Sequence, residues 1–489
     1  MQPTFFFYDY ETTGINPKSD RIIQFAGVRT DLEFNIIAEP IVLYSKLSPE
    51  IIPSLEAVII TGITPEILEE QGLSEVELTR RIYREFSQAN TCVAGYNNIR
   101  FDDEFTRYAF YRNFFDPYAR EWQNNNSRFD LIDTVRLCCA LRHENINWPR
   151  KTDDPSKISF KLEDLSKANN LNHYKAHDAL SDVYATIELA KLIKQHQPKL
   201  LEYLLKARKK DFVNSLINIS EIFNNSINIA SKVLVHSSRM VSSEYFGTSV
   251  FLPLLNDPLN PNSIITWDLR YDPDILCKLP TDINSLKSLL YTPQEQLAPD
   301  QTRLHLKNIA INKVPALAPL NTIDNKYNNG YSRLNLNKQL ILQRAELILS
   351  NKDKWYNLLI DLFSEKTEFV NLNVEHQLYD KFISPSDRAL CNRVHLSPEN
   401  KLQELQSKFF DSRLPELLFR YRARNYFYTL DNCEQEKWQL YCSNILKSPA
   451  KEFLYKANNM LKSAEHVSLI NSWVNYINTL VSGMTIAET

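Results

Sequence analysis

The sequence predicts an α/β domain, followed by a β-rich region and then by a helical region. Three observations support this prediction. An aromatic, strand-like run at residues 4–8 opens a stretch in which strand and helix patterns alternate. Asn, Ser and Pro become frequent from 217 to 261, with short apolar runs near them. Helical periodicity dominates the last part of the chain, and we therefore predict domains at 1–195, 196–366 and 367–489.

The first region is predicted to begin with three neighbouring strands, because 21–29 and 35–43 also have strand-like patterns. Thr64 and Pro65 are typical of a helix N-cap with proline at the first helical position. Helical patterns follow at 75–87, 102–114, 160–168 and 179–195, with a short buried strand at 91–96.

The middle region is predicted to be rich in strands and long loops, with apolar runs at 231–235 and 263–269. Amphipathic periodicity predicts later helices at 340–349, 355–363, 452–461 and 467–480.

The composition excludes several classes of protein. The 489 residues include only 8 glycines, spaced too widely for a dinucleotide-binding fingerprint or a Walker loop. A net charge of −3 provides no global basic field for nucleic acid, so any such binding must use local patches. Seven cysteines without a Cys-x-x-Cys pair indicate a reducing environment, and we expect a cytoplasmic protein. We expect no signal peptide and no membrane span.

Two carboxylates stand at the end of the first predicted strand. Asp9 and Glu11 are two residues apart, so a strand points both to one face. A solvated strand end is the alternative explanation. A second acidic pair, Asp102 and Asp103, follows the strand at 91–96. It could equally be the favourable acidic first turn of a helix.

A histidine and an aspartate lie near the start of the helix at 179–195. If both were helical, His177 and Asp182 would be about 140° apart, so they converge only if His177 is still in the loop. The alternative is that Asp178 caps the helix and His177 is an ordinary polar loop residue.

Together these groups indicate one chemistry. Carboxylate oxygens suit Mg²⁺ or Mn²⁺, and two such ions can clamp the attacking and leaving oxygens of a phosphoryl displacement. A histidine can take the proton of the attacking water near neutral pH.

Several motifs carry a resemblance to a known family. The segments DYETTG and ITGITPEI, the N-x-x-x-F-D-x-x-F run and H-D-A-x-x-D resemble the DEDDh exonucleases, which have an RNase H-like fold. Longer segments, including GYNNIRFDDEFTRYAFYRNFFDPY, AHDALSDVYATIELAKLIK, HLKNIAINKVPAL and FRYRARN, resemble the bacterial exonuclease I family over nearly the whole chain. The resemblance implies an SH3-like middle domain and a helical C-terminal domain.

The resemblance also implies the roles of the catalytic residues. Asp9, Glu11, Asp102 and Asp182 would hold two Mg²⁺ ions, with Mn²⁺ as a second possibility, and Glu11 would also lie near the terminal nucleotide. His177 would be the general base. Asp103 is a rival to Asp102, but the F-D-x-x-F register favours Asp102.

The same resemblance implies contacts with single-stranded DNA, the expected substrate. They are Arg107, Tyr118, Trp122, Arg136, Lys161, Lys210, Asn262, Lys307 and Asn312. Aromatic side chains would stack on bases and cations would bind phosphates. Domain-interface packing or a solvated helix end is the alternative for each. At Lys161 the family usually has an arginine, and lysine loses the bidentate fork.

A protein partner is implied as well. The family binds the acidic C-terminal tail of single-stranded DNA-binding protein, and Arg142 and Tyr203 match part of that pocket. Arg420, Arg422 and Arg424 could form a basic surface, but we expect ion pairs within the helical domain instead.

We therefore expect a monomeric 3′→5′ exodeoxyribonuclease that degrades single strands processively to nucleoside 5′-monophosphates in DNA repair and recombination. The alternatives are an RNA-trimming DEDDh ribonuclease and a non-catalytic single-strand-binding scaffold. We also expect Gly14 and Gly95 to lie where the backbone crowds the substrate or a neighbouring strand.

Overall fold

The structure is a computed structural model that describes residues 2–172, 178–323, 329–365, 373–461 and 465–485. The chain forms two compact units. One comprises 1–127, 173–187 and 370–489, and the other comprises 128–172 and 188–369. No described helix is long and apolar enough to cross a membrane.

The first region alternates strands and helices, as predicted. Its strands are β1 (Thr4–Thr12), β2 (Ile22–Thr30), β3 (Ile41–Ser45), β4 (Gly72–Leu73), β5 (Thr91–Gly95) and β6 (Ser127–Asp130). Its helices are α1 (Leu55–Thr61), α2 (Pro65–Gln71), α3 (Glu75–Phe86), α4 (Asp102–Arg112), α5 (Leu131–Leu141), α6 (Leu162–Ala168) and α7 (Ala179–His196). The Thr64 side chain caps α2 by accepting from the Ile67 N–H, which confirms the predicted N-cap.

Within the first unit the strand order is β4-β3-β2-β1-β5. Strand β1 is central, antiparallel to β2 and parallel to β5. One expectation was wrong here, because 35–40 does not continue a strand. The Asp31 carboxylate accepts the N–H groups of Glu33 and Asn35 and forms a turn, with Phe34 at φ 66°, so that β3 begins only at Ile41.

The middle region has five strands and seven helices among its described residues. The strands are β7 (Leu234–Ser237), β8 (Thr248–Asn256), β9 (Ser263–Asp268), β10 (Leu306–Ala310) and β11 (Ala316–Pro319). The helices are α8 (Pro198–Lys206), α9 (Lys210–Ile217), α10 (Ile229–Lys232), α11 (Ile283–Tyr291), α12 (Gly330–Arg333), α13 (Lys338–Ser350) and α14 (Lys352–Ser364). All paired strands are antiparallel, in the order β10-β9-β8-β7-β11.

The last region is helical, as predicted. Its helices are α15 (Pro385–Leu396), α16 (Gln403–Gln406), α17 (Arg413–Asn425), α18 (Asn432–Met460) and α19 (Val467–Thr485). Apolar side chains of α18 and α19, among them Phe453 and Trp473, pack against Leu55 and Val58 of α1 in one core cluster. The C-terminal helices therefore share a core with the first region inside one unit.

A buried ionic cluster joins the same two parts of that unit. Glu375 pairs with Arg21 at 2.8 Å and with Arg424, and Arg424 also pairs with Glu50 at 2.5 Å. Burial alone would raise the pKa of Glu375, but Arg424 and Arg21, followed by two further arginines, hold it well below its usual range. This cluster commits Arg424 to ion pairs.

The other two arginines of the FRYRARN segment are also paired. Arg422 binds Glu434 at 2.7 Å, and Arg420 binds Glu416 at 3.1 Å. The expectation of ion pairs instead of a free basic surface is confirmed. One of these pairs, from Arg424 to Glu50, reaches outside the helical region.

Candidate active site

Strand β1 carries two carboxylates on one side and two buried tyrosines on the other. Asp9 and Glu11 alternate with Tyr8 and Tyr10, as the two-residue period of a strand requires. Tyr8 and Tyr10 pack in an aromatic core with Phe86 of α3. The aromatic run in the sequence therefore anchors the strand and fixes which face holds the acids.

The N-terminus of α4 brings a third carboxylate. Asp102 is the first residue of this helix and is 3% exposed. The Thr106 hydroxyl donates to the Asp102 carbonyl oxygen at 2.9 Å, and the Tyr10 hydroxyl bonds to Thr106 at 2.9 Å. The first turn of α4 is thereby tied to β1.

Asp103, the rival of Asp102, has a different environment. Its carboxylate is bound to the Arg120 guanidinium at 2.5 Å, and both side chains are 0% exposed. It also accepts a hydrogen bond from the Tyr8 hydroxyl at 2.8 Å. Asp103 is a structural partner of a buried arginine on the aromatic face of β1.

Helix α7 supplies the fourth carboxylate. The Asp178 side chain accepts from the Ser181 N–H at 3.2 Å and caps the helix. Gln24, which is opposite Glu11 in the β1–β2 register, accepts the Ala179 N–H at 3.4 Å. These contacts place Asp182, in the first turn, beside β1. His177 lies outside the described residues.

Asp9, Glu11 and Asp182 form a group that could hold a metal ion, with one carboxylate oxygen of each within 4.8 Å of the others. Burial raises the pKa of Asp9 well above its usual range, and the charges of Asp102, Asp182 and Glu11 raise it further. Four carboxylates therefore repel one another in a partly desolvated space. A divalent cation with oxygen preference relieves that repulsion, so the residues present fit Mg²⁺ or Mn²⁺.

The two glycines beside this site differ in their surroundings. A Cβ at Gly95, at the end of β5, would lie 3.0 Å from the Tyr8 carbonyl oxygen of β1. The expected close approach to a neighbouring strand is confirmed there. At Gly14 the atoms nearest to such a Cβ belong to the Asp20 side chain, at 2.5 Å, and not to a neighbouring strand, so the expected approach to the substrate stays a prediction there.

Three predicted DNA-contact residues lie together in the first unit. The Arg107 guanidinium is over the Tyr118 ring at 5.4 Å and is bound to Glu121 at 2.8 Å and to Glu104 at 3.0 Å. Tyr118 and Trp122 line one cavity of about 370 Å³, and Trp122 is 65% exposed. The ion pairs of Arg107 neutralise its charge, whereas most of the Trp122 side chain is exposed.

The remaining predicted contacts lie in the second unit. Arg136 and Lys161 line one cavity of about 1000 Å³. The Lys210 ammonium donates to the Asn262 side chain at 2.7 Å, and the Asn262 carbonyl oxygen accepts the N–H of Ile311. In sequence, Asn312 follows Ile311 directly.

Lys307 lies on β10, paired with Thr266 of β9. Burial and the neighbouring Arg303 lower the pKa of Lys307.

The two residues predicted to bind a partner tail share a separate cavity of the second unit. Arg142 and Tyr203 line a space of about 410 Å³, together with His196 and Lys199. The Arg142 guanidinium donates to the Leu141 carbonyl oxygen at 2.6 Å. The Tyr203 hydroxyl is buried and has no hydrogen-bond partner among the described residues, and burial raises the pKa of Tyr203 to about 12.

Sequence reasoning missed the residues that support the site. Arg120 neutralises Asp103, and the Gln24 side chain accepts a hydrogen bond from the first residue of α7. No local sequence pattern indicates either contact. Each acts on a partner distant in sequence, with separations of 17 and 155 residues.

Comparison with known proteins identifies the class. Residues 6–190, which carry the carboxylate cluster, match the family model described as Exonuclease. Residues 208–365 match the Exonuclease I SH3-like domain, and 372–480 match the Exonuclease I C-terminal domain. The chain is therefore an exonuclease with an SH3-like domain and a C-terminal domain.

Two full-length relatives and one solved structure narrow the class to a family. The chain is 43% identical to exodeoxyribonuclease I of Haemophilus influenzae over 479 residues, which cover 97% of this chain and 98% of the relative. It is 40% identical to exodeoxyribonuclease I of Escherichia coli over 487 residues, 98% and 99% of the two chains. The E. coli exonuclease I complex with a dA16 oligonucleotide matches with a TM-score of 0.90 at 40% identity, covering 98% and 100%. The chain belongs to the exodeoxyribonuclease I family.

Proposed function

We propose that this chain degrades single-stranded DNA from the 3′ end, processively, and releases nucleoside 5′-monophosphates in DNA repair and recombination. The observation that carries the proposal is the carboxylate cluster of Asp9, Glu11 and Asp182, with Asp102 beside it. The E. coli relative has been solved with DNA oligonucleotides and, with single-stranded DNA, in a zinc-bound form.

The carboxylates would hold two divalent ions, which we assign as Mg²⁺. When bound, such a pair stabilises the attacking and leaving oxygens of a phosphodiester hydrolysis. Asp9 is central, since the other three charges all act on it. Glu11 is 7% exposed and adjoins the bulge of β1 at Thr12. We propose that it also orients the terminal nucleotide.

A general base has to take the proton from the attacking water. We assign this role to His177, because a histidine with a pKa of about 6.5 can accept a proton near neutral pH. The described start of α7 supports the assignment. Asp178, the residue that directly follows His177 in the chain, caps this helix by accepting from the Ser181 N–H.

The sites on the second unit support binding of a strand and of a partner. Lys210 with Asn262, and Arg136 with Lys161, would bind phosphates, while Trp122 of the first unit would stack on a base. Lys307 and Asn312 would add contacts along the same strand.

We further propose that the cavity of Arg142 and Tyr203 binds the C-terminal tail of single-stranded DNA-binding protein. A solved structure described as SSB/Exonuclease I in complex with an inhibitor matches this chain with a TM-score of 0.87 at 39% identity. We also propose a cytoplasmic monomer with the three domains predicted from the sequence.

The test is a nucleotide-release assay with Mg²⁺ on 3′-labelled strands of equal length. The substrates are single-stranded DNA, duplex DNA and single-stranded RNA. The proteins are the wild type, Asp9→Ala and the matched control Asp361→Ala, whose carboxylate is exposed on α14 and makes no ion pair within the described ranges. We expect release from single-stranded DNA alone, its loss in Asp9→Ala and its retention in the control.

Other outcomes would favour the alternatives. Faster release from RNA would indicate an RNA-trimming enzyme. Equal inertness of the wild type and Asp9→Ala, with both still binding DNA, would indicate a non-catalytic scaffold.

A further inference from the structure

The cavity that contains Arg136 and Lys161 has more cationic residues than sequence analysis assigned to it. Its lining includes Arg136, Lys151, Lys157, Lys161 and Arg239, with Asp153 and Asp164 as the acidic members. The chain as a whole has a net charge of −3, so five cations against two acids mark a local positive surface.

The five cations are not equally available. Arg136 is bound to Asp133 at 2.5 Å and lies over the Phe160 ring, and Lys157 is bound to Asp154 at 2.7 Å. In contrast, the side chains of Lys151, Lys161 and Arg239 make no ion pair or hydrogen bond with any described residue. These three cations of the cavity lining are therefore available to an external anion.

Backbone hydrogen bonds fix the two segments that carry Arg239 and Lys151. Arg239 is in the turn after β7, where the Val241 N–H donates to the Ser238 carbonyl oxygen at 3.0 Å. Lys151 is on a short hairpin in which its N–H donates to the Lys157 carbonyl oxygen at 2.9 Å. The two segments are about 90 residues apart in the chain but line the same cavity.

The apolar lining indicates which kind of anion fits. Phe160 and Met240, the latter 60% exposed, lie among the cations. Cations interleaved with apolar and aromatic surface suit a single strand, whose phosphates need charge and whose bases need apolar contact. A free phosphate ion would use only the charges.

We infer that Arg239 and Lys151, with Lys161, bind the sugar–phosphate backbone of the DNA strand, with Arg239 as the only uncommitted guanidinium among the described residues of this cavity. This inference rests on the proposed function, because it takes single-stranded DNA as the ligand. A guanidinium can bind a phosphate through two parallel N–H···O bonds, whereas lysine acts as a point charge. Arg239 thus adds a fixed geometry to the point charges of Lys151 and Lys161.

The test measures binding of a fluorescent dT oligonucleotide in EDTA, which prevents cleavage, over a range of salt concentrations. Each phosphate contact on a single strand contributes about 0.7 to the slope of log K against log salt. We expect Arg239→Ala to lower the slope by about 0.7 and to weaken binding about tenfold. Lys151→Ala together with Arg239→Ala should lower the slope by about 1.4.

Two further variants separate charge from geometry. Arg239→Lys should keep the slope but still weaken binding, since it keeps the charge and loses the fork. Lys278→Ala removes an exposed charge of the same unit outside this cavity and should change neither quantity. A melting curve for each variant confirms that it is folded.

The outcomes distinguish failure of the Arg239 inference from failure of the proposed function. If the wild type binds and degrades the strand but Arg239→Ala keeps its slope and affinity, the inference is wrong and the proposed function stands. If Arg239→Ala loses affinity for dTMP but not for the oligonucleotide, the cavity binds a free nucleotide and the strand assignment is overturned. If the wild type neither binds nor degrades the strand, the proposed function itself fails.

Discussion

Asp102 and Asp103 are adjacent and chemically identical, yet the structure predicts opposite consequences for their amide variants. Asp103 is 0% exposed and is bound to Arg120 and Tyr8. In Asp103→Asn the charge of Arg120 would remain buried and unpaired. Breaking a buried ion pair from one side costs about 3–5 kcal/mol.

That cost has a measurable size. For domains of this order of length, about 1 kcal/mol shifts the melting temperature by about 2–4 °C. Asp103→Asn should therefore lower the first unfolding transition by about 6–20 °C. The residual activity at low temperature should be substantial, because the four carboxylates of the site are intact.

Asp102→Asn should keep the melting temperature and lose the activity. The Asp102 charge raises the pKa of Asp9, so its removal relieves repulsion and should not lower the melting temperature in EDTA. Metal ions should stabilise the wild type but should stabilise this variant less. Nucleotide release should fall at least about a hundredfold, since even indirect supports of a metal site are worth about 10–100-fold.

The assay pairs differential scanning fluorimetry, with and without Mg²⁺, with nucleotide release at a temperature where all variants are folded. The reasoning would be refuted if Asp103→Asn melted like the wild type and was inactive while Asp102→Asn remained active. That result would mean that Asp103, and not Asp102, serves the metal site.

Two further predictions concern a buried ion-pair cluster and the proposed partner-tail cavity. Glu375→Gln should destabilise the first unit by about 3–5 kcal/mol, because Arg21 and Arg424 lose a shared partner, whereas Glu77→Gln on the surface should cost at most about 1 kcal/mol. Equal melting temperatures for the two variants would contradict this. Arg142→Ala should weaken binding of a peptide with the acidic C-terminal sequence of single-stranded DNA-binding protein about tenfold, measured by fluorescence anisotropy. Amidation of that C-terminus should reproduce the loss, and an effect of neither change would argue against a carboxylate site.

Local sequence patterns determined several secondary-structure elements and the face of β1 that carries the acids. The two-residue period of β1 placed Asp9 and Glu11 on one face, and the Thr64-Pro65 pair marked the start of α2. The predicted strand at 35–43 was the clearest local error. Its apolar residues suggested a strand, but the Asp31 carboxylate forms a turn at Glu33 and Asn35. The resemblance of several sequence motifs to the DEDDh exonucleases implied the exonuclease class.

The tertiary structure decided which of several similar residues serves which purpose. Asp102 and Asp103 share a helix N-terminus but have different partners. Asp103 forms a buried ion pair with Arg120, whereas the charge of Asp102 acts on Asp9 in the carboxylate cluster. Arg136 and Arg239 line the same cavity, but only Arg136 forms an ion pair with Asp133. Sequence patterns report short-range periodicity, whereas burial and charge pairing depend on groups brought together from far along the chain. The contacts of these residues therefore depend on the folded chain, and not on their local sequence.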